Sequence, residues 1–309
     1  MSAAQRAPEA FRARVVAGYG RHFIVEDDAG RLYEAKRRGK RGDVVIGDRV
    51  SCIRAAAAQA AIEAILPRAS LLMRADGVRS KALAANVDRV VVVYAPRPAF
   101  HERFIWRALL AAETARIEPL VVLNKIDLDP EQSGRQALAR ITRLGYASIA
   151  VSAKAAPEHA RATLRAALGQ HSNLMVGQSG MGKSTLINLL VPEANARTQE
   201  YSVRLNVGRQ TTTASRLFAL EGGGDIIDTP GFQAFGLAHL DQPQLAAAMP
   251  EFVPRLGRCR FNDCRHVSEP ACAVRVAVAD GEIDAARYAF YCDLVEELEA
   301  PRVRDGAPP

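Results

Sequence analysis

Eight consecutive residues, Gly177-Gln178-Ser179-Gly180-Met181-Gly182-Lys183-Ser184, have the types and spacing that phosphate chemistry needs. They match G-x-x-x-x-G-K-[ST] and sit between an apolar run, Ser172 to Val176, that reads as a buried strand and Lys183 to Leu190, which reads as a helix. Glycines at 177, 180 and 182 let successive backbone N–H groups turn inward on an anion at a helix N-terminus, where the dipole adds to the attraction. Lys183 is then expected at the β- and γ-phosphates, Ser184 on Mg²⁺, and Thr185 among the nucleotide contacts. Alone, the loop specifies only a nucleoside triphosphate.

Two further motifs narrow the base to guanine. Asn124-Lys125-Ile126-Asp127 follows the apolar run Leu120 to Leu123, and Ser152-Ala153-Lys154 follows Ile149 to Val151, so both fall at strand ends, where open α/β sheets bind ligands. The Asp127 carboxylate can accept from the ring N1–H and exocyclic amine of guanine, and adenine would leave it unpaired. Lys125 can lay its stem along the base, and the Ala153 N–H can meet the base oxygen. Both motifs precede the phosphate loop, the reverse of the usual order, so the nucleotide site reads as circularly permuted. The switch segments, Val203 to Gly236, are thereby joined directly to the C-terminal part, which nucleotide state is expected to move.

Asp228-Thr229-Pro230-Gly231 ends the strand Asp225 to Ile227, placing Asp228 to hold the Mg²⁺ shell through water and the Gly231 N–H at the γ-phosphate. The loop Gly208-Arg209-Gln210-Thr211-Thr212-Thr213 suits a first switch, with Thr212 or Thr213 on Mg²⁺; a Thr-rich strand is the other reading of Thr213. Phe232 stands where familiar GTPases carry a water-orienting glutamine, so intrinsic turnover is expected to be slow. Gln210 is the candidate replacement, against a reading as a solvated loop residue. The expected catalytic set is Lys183, Gln210 and Asp228.

A second chemistry appears near the C-terminus. Cys259-x₄-Cys264-x-His266-x₅-Cys272 gathers four zinc-type ligands within fourteen residues, enough for a closed Cys₃His site of structural type. Disulfides are not expected among five cysteines in a chain with no apolar leader and with nucleotide motifs that imply a reducing cytosol. Cys52 and Cys292 read as core residues, and His22, His101, His159, His171 and His239 as surface or packing residues.

The elements that must position these groups follow from pattern. In 309 residues of which 49% are hydrophobic there is room for two or three cores, and no apolar run approaches the ~18 residues of a membrane span. Five short strand-like segments between Arg12 and Ile65, the first four separated by glycines, predict an OB-fold barrel. After a link containing Pro67, strand and helix alternate from Asp88, with helices at Phe104 to Ala115, Gly134 to Leu144 and Glu158 to Leu168, as a doubly wound sheet requires. A final helix near Glu282 to Glu299 carries Phe290, Leu294 and Leu298 as a packing stripe. The expected boundaries are 1–67 for the barrel, 68–238 for the permuted GTPase domain, 239–300 for a small helical zinc domain and 301–309 for a flexible tail. A net charge of +7 and a pI near 9.4 favour a polyanionic partner. The basic residues gather in one N-terminal stretch that includes Lys36, Arg37, Arg38, Lys40 and Arg41, and around the cysteines at Arg255, Arg258, Arg260 and Arg265.

Taken together, the permuted order, the phosphate loop, the Gly208 to Thr213 loop, Asp228 to Phe232 and Cys259-Arg260-Phe261-Asn262-Asp263-Cys264-Arg265-His266 resemble the ribosome small subunit-dependent GTPase A family over nearly the whole chain. The resemblance implies a cytoplasmic assembly factor with an OB-fold, a permuted GTPase domain and a zinc domain. It also implies GTP and GDP as ligands, Zn²⁺ on Cys259, Cys264, His266 and Cys272, and action late in 30S maturation with hydrolysis stimulated by the subunit. Family members often carry histidine in the G-R-x-T-T-T loop, where this chain has Gln210. An rRNA-docked GTPase, monomeric and with no membrane partner, is the expected function. A nucleotide-gated RNA-binding scaffold is the alternative, and a P-loop kinase leaves the guanine motifs, the cysteines and the basic clusters without a purpose.

Overall fold

The computed structural model describes residues 10–37, 44–76, 79–194, 215–229 and 235–300. Strands β1 (Ala10–Tyr19), β2 (His22–Asp27), β3 (Leu32–Arg37), β4 (Arg49–Ala56) and β5 (Gln59–Ile65) run in the order β1-β2-β3-β5-β4, and β4 returns to β1, closing the barrel. The β3–β5 contact is parallel and the others antiparallel. Alternation builds its interior, with Tyr33 and Ala35 of β3 and Val50 and Cys52 of β4 turned inward. A bulge between Val15 and Ala17 re-aims β1, so that Val15 lies in the barrel core while Val16 and Ala17 belong to the larger core beyond it.

A hairpin, β6 (Leu71–Asp76) and β7 (Arg79–Ala85), occupies the stretch where the sequence suggested only a link. Its Ala84 bridges to Ile46 beside the barrel, and its Arg74 bridges to Phe235, near the end of the switch segments. Then come β8 (Arg89–Tyr94), α1 (Glu102–Thr114), β9 (Glu118–Leu123), α2 (Ser133–Arg143), β10 (Ala147–Ala150) and α3 (Pro157–Leu168). β11 (Ser172–Val176), α4 (Lys183–Leu190), β12 (Ser215–Ala219) and β13 (Asp225–Asp228) complete the nucleotide domain. Its sheet runs β10-β9-β8-β11-β13-β12, parallel except for β12, which also joins the barrel through Ala17↔Arg216 and Gly18↔Ser215. Every residue of β8 and β11 is buried, as strands covered on both faces must be.

The C-terminal part is helical: α5 (Gln242–Ala247), α6 (Ala273–Ala279) and α7 (Ala285–Glu299). Of the expected stripe on α7, Phe290 and Leu294 are buried and Leu298 is partly so. The helix lies along α1, with the Trp106 and Phe290 rings 5.4 Å apart. Arg107 of α1 forks onto Glu297 at 2.8 and 2.6 Å and donates from Nε to the Phe235 carbonyl at 2.9 Å. One guanidinium therefore ties Phe235, near the end of the switch segments, to the last helix. Among the described residues no helix is long and apolar enough to cross a membrane.

Candidate functional site

The phosphate loop leaves β11 and enters α4 as its spacing requires. Gly177 approaches β8 so closely that a Cβ there would lie 2.2 Å from the Val93 carbonyl oxygen. Gly182, at φ +96, would put a Cβ 2.4 Å from Asn124 Nδ2. Only glycine fits either place. Lys183 Nζ donates to the Gly177 and Gln178 carbonyls at 2.7 and 3.1 Å, so its ammonium rests on the loop. Gln178 Oε1 accepts from the His101 N–H at 3.0 Å, which fastens the loop to the start of α1. Met181 is buried; Ser179 and Ser184 are exposed.

The base-reading motifs come from the ends of β9 and β10 and meet at Asn124. Its Nδ2 donates to the Met181 carbonyl at 3.1 Å, and its Oδ1 accepts from the Ala153 N–H at 3.2 Å. This residue bridges all three motifs. The Ala153 N–H, expected at the guanine oxygen, is engaged by Asn124 here. Lys125, at φ +59, reaches across the phosphate loop to the Gly180 carbonyl at 2.7 Å and to that of Arg97 at 3.0 Å. Ile126 donates its N–H to the Val151 carbonyl at 3.3 Å, joining the two strand ends. Ser152 Oγ donates to Asp127 Oδ1 and accepts from the Ala155 N–H, which leaves the other Asp127 oxygen for a ligand. Asn124, Lys125, Asp127, Leu128, Ser152, Ala153, Lys154 and Thr185 line one open pocket.

Asp228 ends β13 beside Lys183. Burial raises its carboxyl pKa, and the charges of Lys183 and Arg216 oppose that rise. Burial lowers Lys183, opposed by Asp228. Arg216, on β12 opposite Asp228, had no signal in its local sequence; the cross-strand register alone brings it in. Ser184 and Asp228 offer the hard oxygen donors that Mg²⁺ prefers. Gln210, Thr212, Thr213, Gly231 and Phe232 lie outside the described residues, as do Arg38, Lys40 and Arg41 of the basic run.

The ligand atoms of Cys259, Cys264, His266 and Cys272 all lie within 4.8 Å of one another. The His266 Nδ1 is 3.4 Å from Cys259 Sγ and 3.5 Å from Cys272 Sγ, and those two sulfurs are 3.9 Å apart. Around a tetrahedral Zn²⁺ the same donors would stand about 3.5 to 3.8 Å apart, so the cluster fits the ion. Burial and the neighbouring thiols push Cys264 up to about 12, whereas burial lowers His266 toward its neutral, ligating form. A bound cation would reverse the thiol shift. The turn from His266 to Cys272 is organised by Glu269. Burial pushes its carboxyl up, but N–H groups from Arg265, Glu269 itself, Val267 and Ser268 outweigh this and hold it at about 2. Tyr288 donates to the His266 carbonyl at 2.9 Å and Tyr291 to that of Arg265 at 2.9 Å, so α7 supports the same turn.

Residues 65–238 match the RsgA GTPase family. The chain belongs to that family. It is 48% identical to the small ribosomal subunit biogenesis GTPase RsgA of Burkholderia pseudomallei (strain K96243) over 296 residues, 95% of this chain and 94% of that one. The crystal structure of YjeQ from Thermotoga maritima superimposes with a TM-score of 0.72 at 30% identity, covering 95% of this chain and all of that one. The crystal structure of YloQ, a circularly permuted GTPase, superimposes at 0.69 over 98% of this chain, with 22% identity and thus likeness of fold. The architecture of a closed barrel, a permuted nucleotide domain and a C-terminal Cys/His cluster is therefore that of an RsgA GTPase.

Proposed function

We propose that this chain hydrolyses GTP as a late assembly factor of the small ribosomal subunit, docked on its rRNA in the cytoplasm and stimulated by the subunit. The convergence of three motifs on Asn124, around a pocket that presents Asp127, carries the guanine reading. In this reading the base lies between Asp127 and the Lys125 stem, and the phosphates occupy the cradle from Gly177 to Ser184. Lys183 turns its ammonium from the loop carbonyls to the β- and γ-phosphates, Gly231 donates to the γ-phosphate, and Gln210 orients the water. Ser184, Thr212 or Thr213 and, through water, Asp228 would hold Mg²⁺, which would supply neutralisation of the developing phosphate charge. Zn²⁺ on Cys259, Cys264, His266 and Cys272 serves folding, since four protein ligands leave no open position.

The functional units follow the sequence boundaries: an RNA-binding barrel at 1–67, the GTPase domain at 68–238, the zinc domain at 239–300 and a tail at 301–309, acting as a monomer. The identity of 48% to a small ribosomal subunit biogenesis GTPase supports the choice of partner. Phe232 in place of a water-orienting glutamine favours one other reading, a nucleotide-gated scaffold with negligible turnover. GTP turnover with and without small subunits separates the two. Stimulation that falls steeply with salt is expected, because docking releases counterions from rRNA phosphates. Equal rates with and without subunits would leave the scaffold.

A further inference from the structure

Helix α1 is bonded at one point to the phosphate loop and at another to the end of the switch segments. At its start His101, the N-cap, donates its N–H to Gln178 Oε1 at 3.0 Å. Further along, Arg107 Nε donates to the carbonyl of Phe235, four residues past Gly231, at 2.9 Å. Phe235 is fully buried; its ring lies 6.3 Å from that of Phe104, and the next residue, Gly236, donates its N–H to the Met73 carbonyl at 3.2 Å. Close packing leaves little slack there, so a shift of the switch segments is passed on to whatever holds Phe235.

The same helix carries α7. Trp106 packs on Phe290, and the Arg287 Cζ lies 5.7 Å from the centre of the Trp106 ring. Two arginines of α1 reach acidic residues one turn apart on α7: Arg103 meets Asp293 at 2.5 Å, and Arg107 meets Glu297 through two bonds. The Arg103 pair is exposed on both sides, where a solvated ion pair holds little. The Arg107 side chain is only 15% exposed, and its guanidinium is divided between Phe235 and Glu297. A planar fork engaged at both edges fixes one partner relative to the other, which a point charge cannot do.

We propose that Arg107 is a positioning residue that couples nucleotide state to α7: rearrangement of the switch segments around a γ-phosphate passes through the Phe235 carbonyl and the Arg107 guanidinium to Glu297. The proposal rests on the reading of the nucleotide site given above. Coupling of this kind is reciprocal, so a partner bound to the C-terminal part reaches the switch segments through the same arginine.

The test uses the full chain with Mg²⁺ and either GDP or a non-hydrolysable GTP analogue, in wild type and in Arg107→Ala, Arg107→Lys and Glu297→Gln. Hydrogen exchange of the α7 amides is the deciding readout. Emission of Trp106, the chain's single tryptophan, follows the α1–α7 contact in parallel. In wild type the α7 exchange rates should differ at least about fivefold between the two nucleotides, the lower end of allosteric couplings. Arg107→Ala should bring them within about twofold of each other and flatten the difference in Trp106 emission. Affinity for either nucleotide should change less than about threefold, because Arg107 touches neither the phosphate loop nor the base pocket. Arg107→Lys should recover part of the difference, since charge returns without the fork. Glu297→Gln leaves the bond to Phe235 in place and should weaken the difference less than Arg107→Ala does. A nucleotide-dependent difference in Arg107→Ala equal to that of wild type overturns the proposal; if the unfolding temperature alone has fallen, the arginine is merely structural. Should Arg107→Ala fail to fold, Glu297→Ala is judged by the same criterion. Failure of wild type to bind either nucleotide refutes the reading of the site itself, whereas normal binding with no response in α7 refutes only the role of Arg107.

Discussion

The nucleotide pocket and the Cys₃His cluster are both small polar sites, yet they are assembled in opposite ways. The pocket draws on the ends of β9, β10, β11 and β13, residues about a hundred positions apart that only the sheet brings together. All four cluster ligands come from one segment of fourteen residues, shaped by Glu269 and the positive-φ turns at His266 and Ala271. The pocket thus inherits its rigidity from a core that exists without ligand. The cluster has a smaller share of core and three thiols that repel one another once ionised. Ligand removal should therefore leave one region folded and unfold the other.

The comparison breaks first at the metal. Structural zinc contributes on the order of 10 kcal/mol or more of binding free energy to folding, so chelation should unfold the segment around Cys259 to Cys272 while β8 to β11 keep their amide protection. Hydrogen exchange followed by mass spectrometry reads both regions in one experiment. One equivalent of zinc is expected in wild type by elemental analysis, and Cys264→Ser should lose it. A metal-free protein with full protection in the C-terminal segment would refute the zinc assignment.

A smaller effect is expected at the base. Asp127→Asn replaces an acceptor with an amide, and with Ser152 holding one side of the group, the mismatch with guanine should cost about 2–4 kcal/mol of GTP affinity and shift preference toward xanthine nucleotides. The folded state should be untouched, as thermal unfolding without nucleotide can verify. Unchanged GTP affinity in a competition titration would remove Asp127 from base recognition.

The least disruptive change sharpens the contrast. Glu269→Gln keeps one acceptor but loses the charge that gathers the turn's N–H groups, so the C-terminal segment should lose about 1–2 kcal/mol and release zinc to a chelator faster. Nucleotide affinity should not change. A release rate equal to wild type would show that the turn is held by Tyr288 and Tyr291 alone.

Much of this was legible in the residues. β11 and α4 begin and end where the apolar run and the phosphate motif suggested, because the loop's glycines leave little freedom in between. The barrel strands were legible from their glycine punctuation and alternation. The hairpin β6–β7 was not, since Ala82, Ala84 and Ala85 have weak strand preference and the hairpin is held by bridges of Ala84 to Ile46 and of Arg74 to Phe235. β12 was hidden for a related reason: it is short, and β1, its partner on one edge, is remote in sequence. Asn124 was legible as a member of a motif but not as its hub, because the Met181 and Ala153 contacts depend on strand order. Arg216 needed the same knowledge.

The bulge in β1 has a bearing on how the molecule comes apart. Because consecutive residues, Val15 and Val16, are buried in different cores, no cut between strands leaves both interiors whole. Excising the barrel at the Pro67 link would also remove Val16, Ala17 and Ile24 from the nucleotide domain's side, exposing apolar surface where β12 now finds a partner. The two units should accordingly melt in one cooperative transition, and neither should be exchangeable as an independent module.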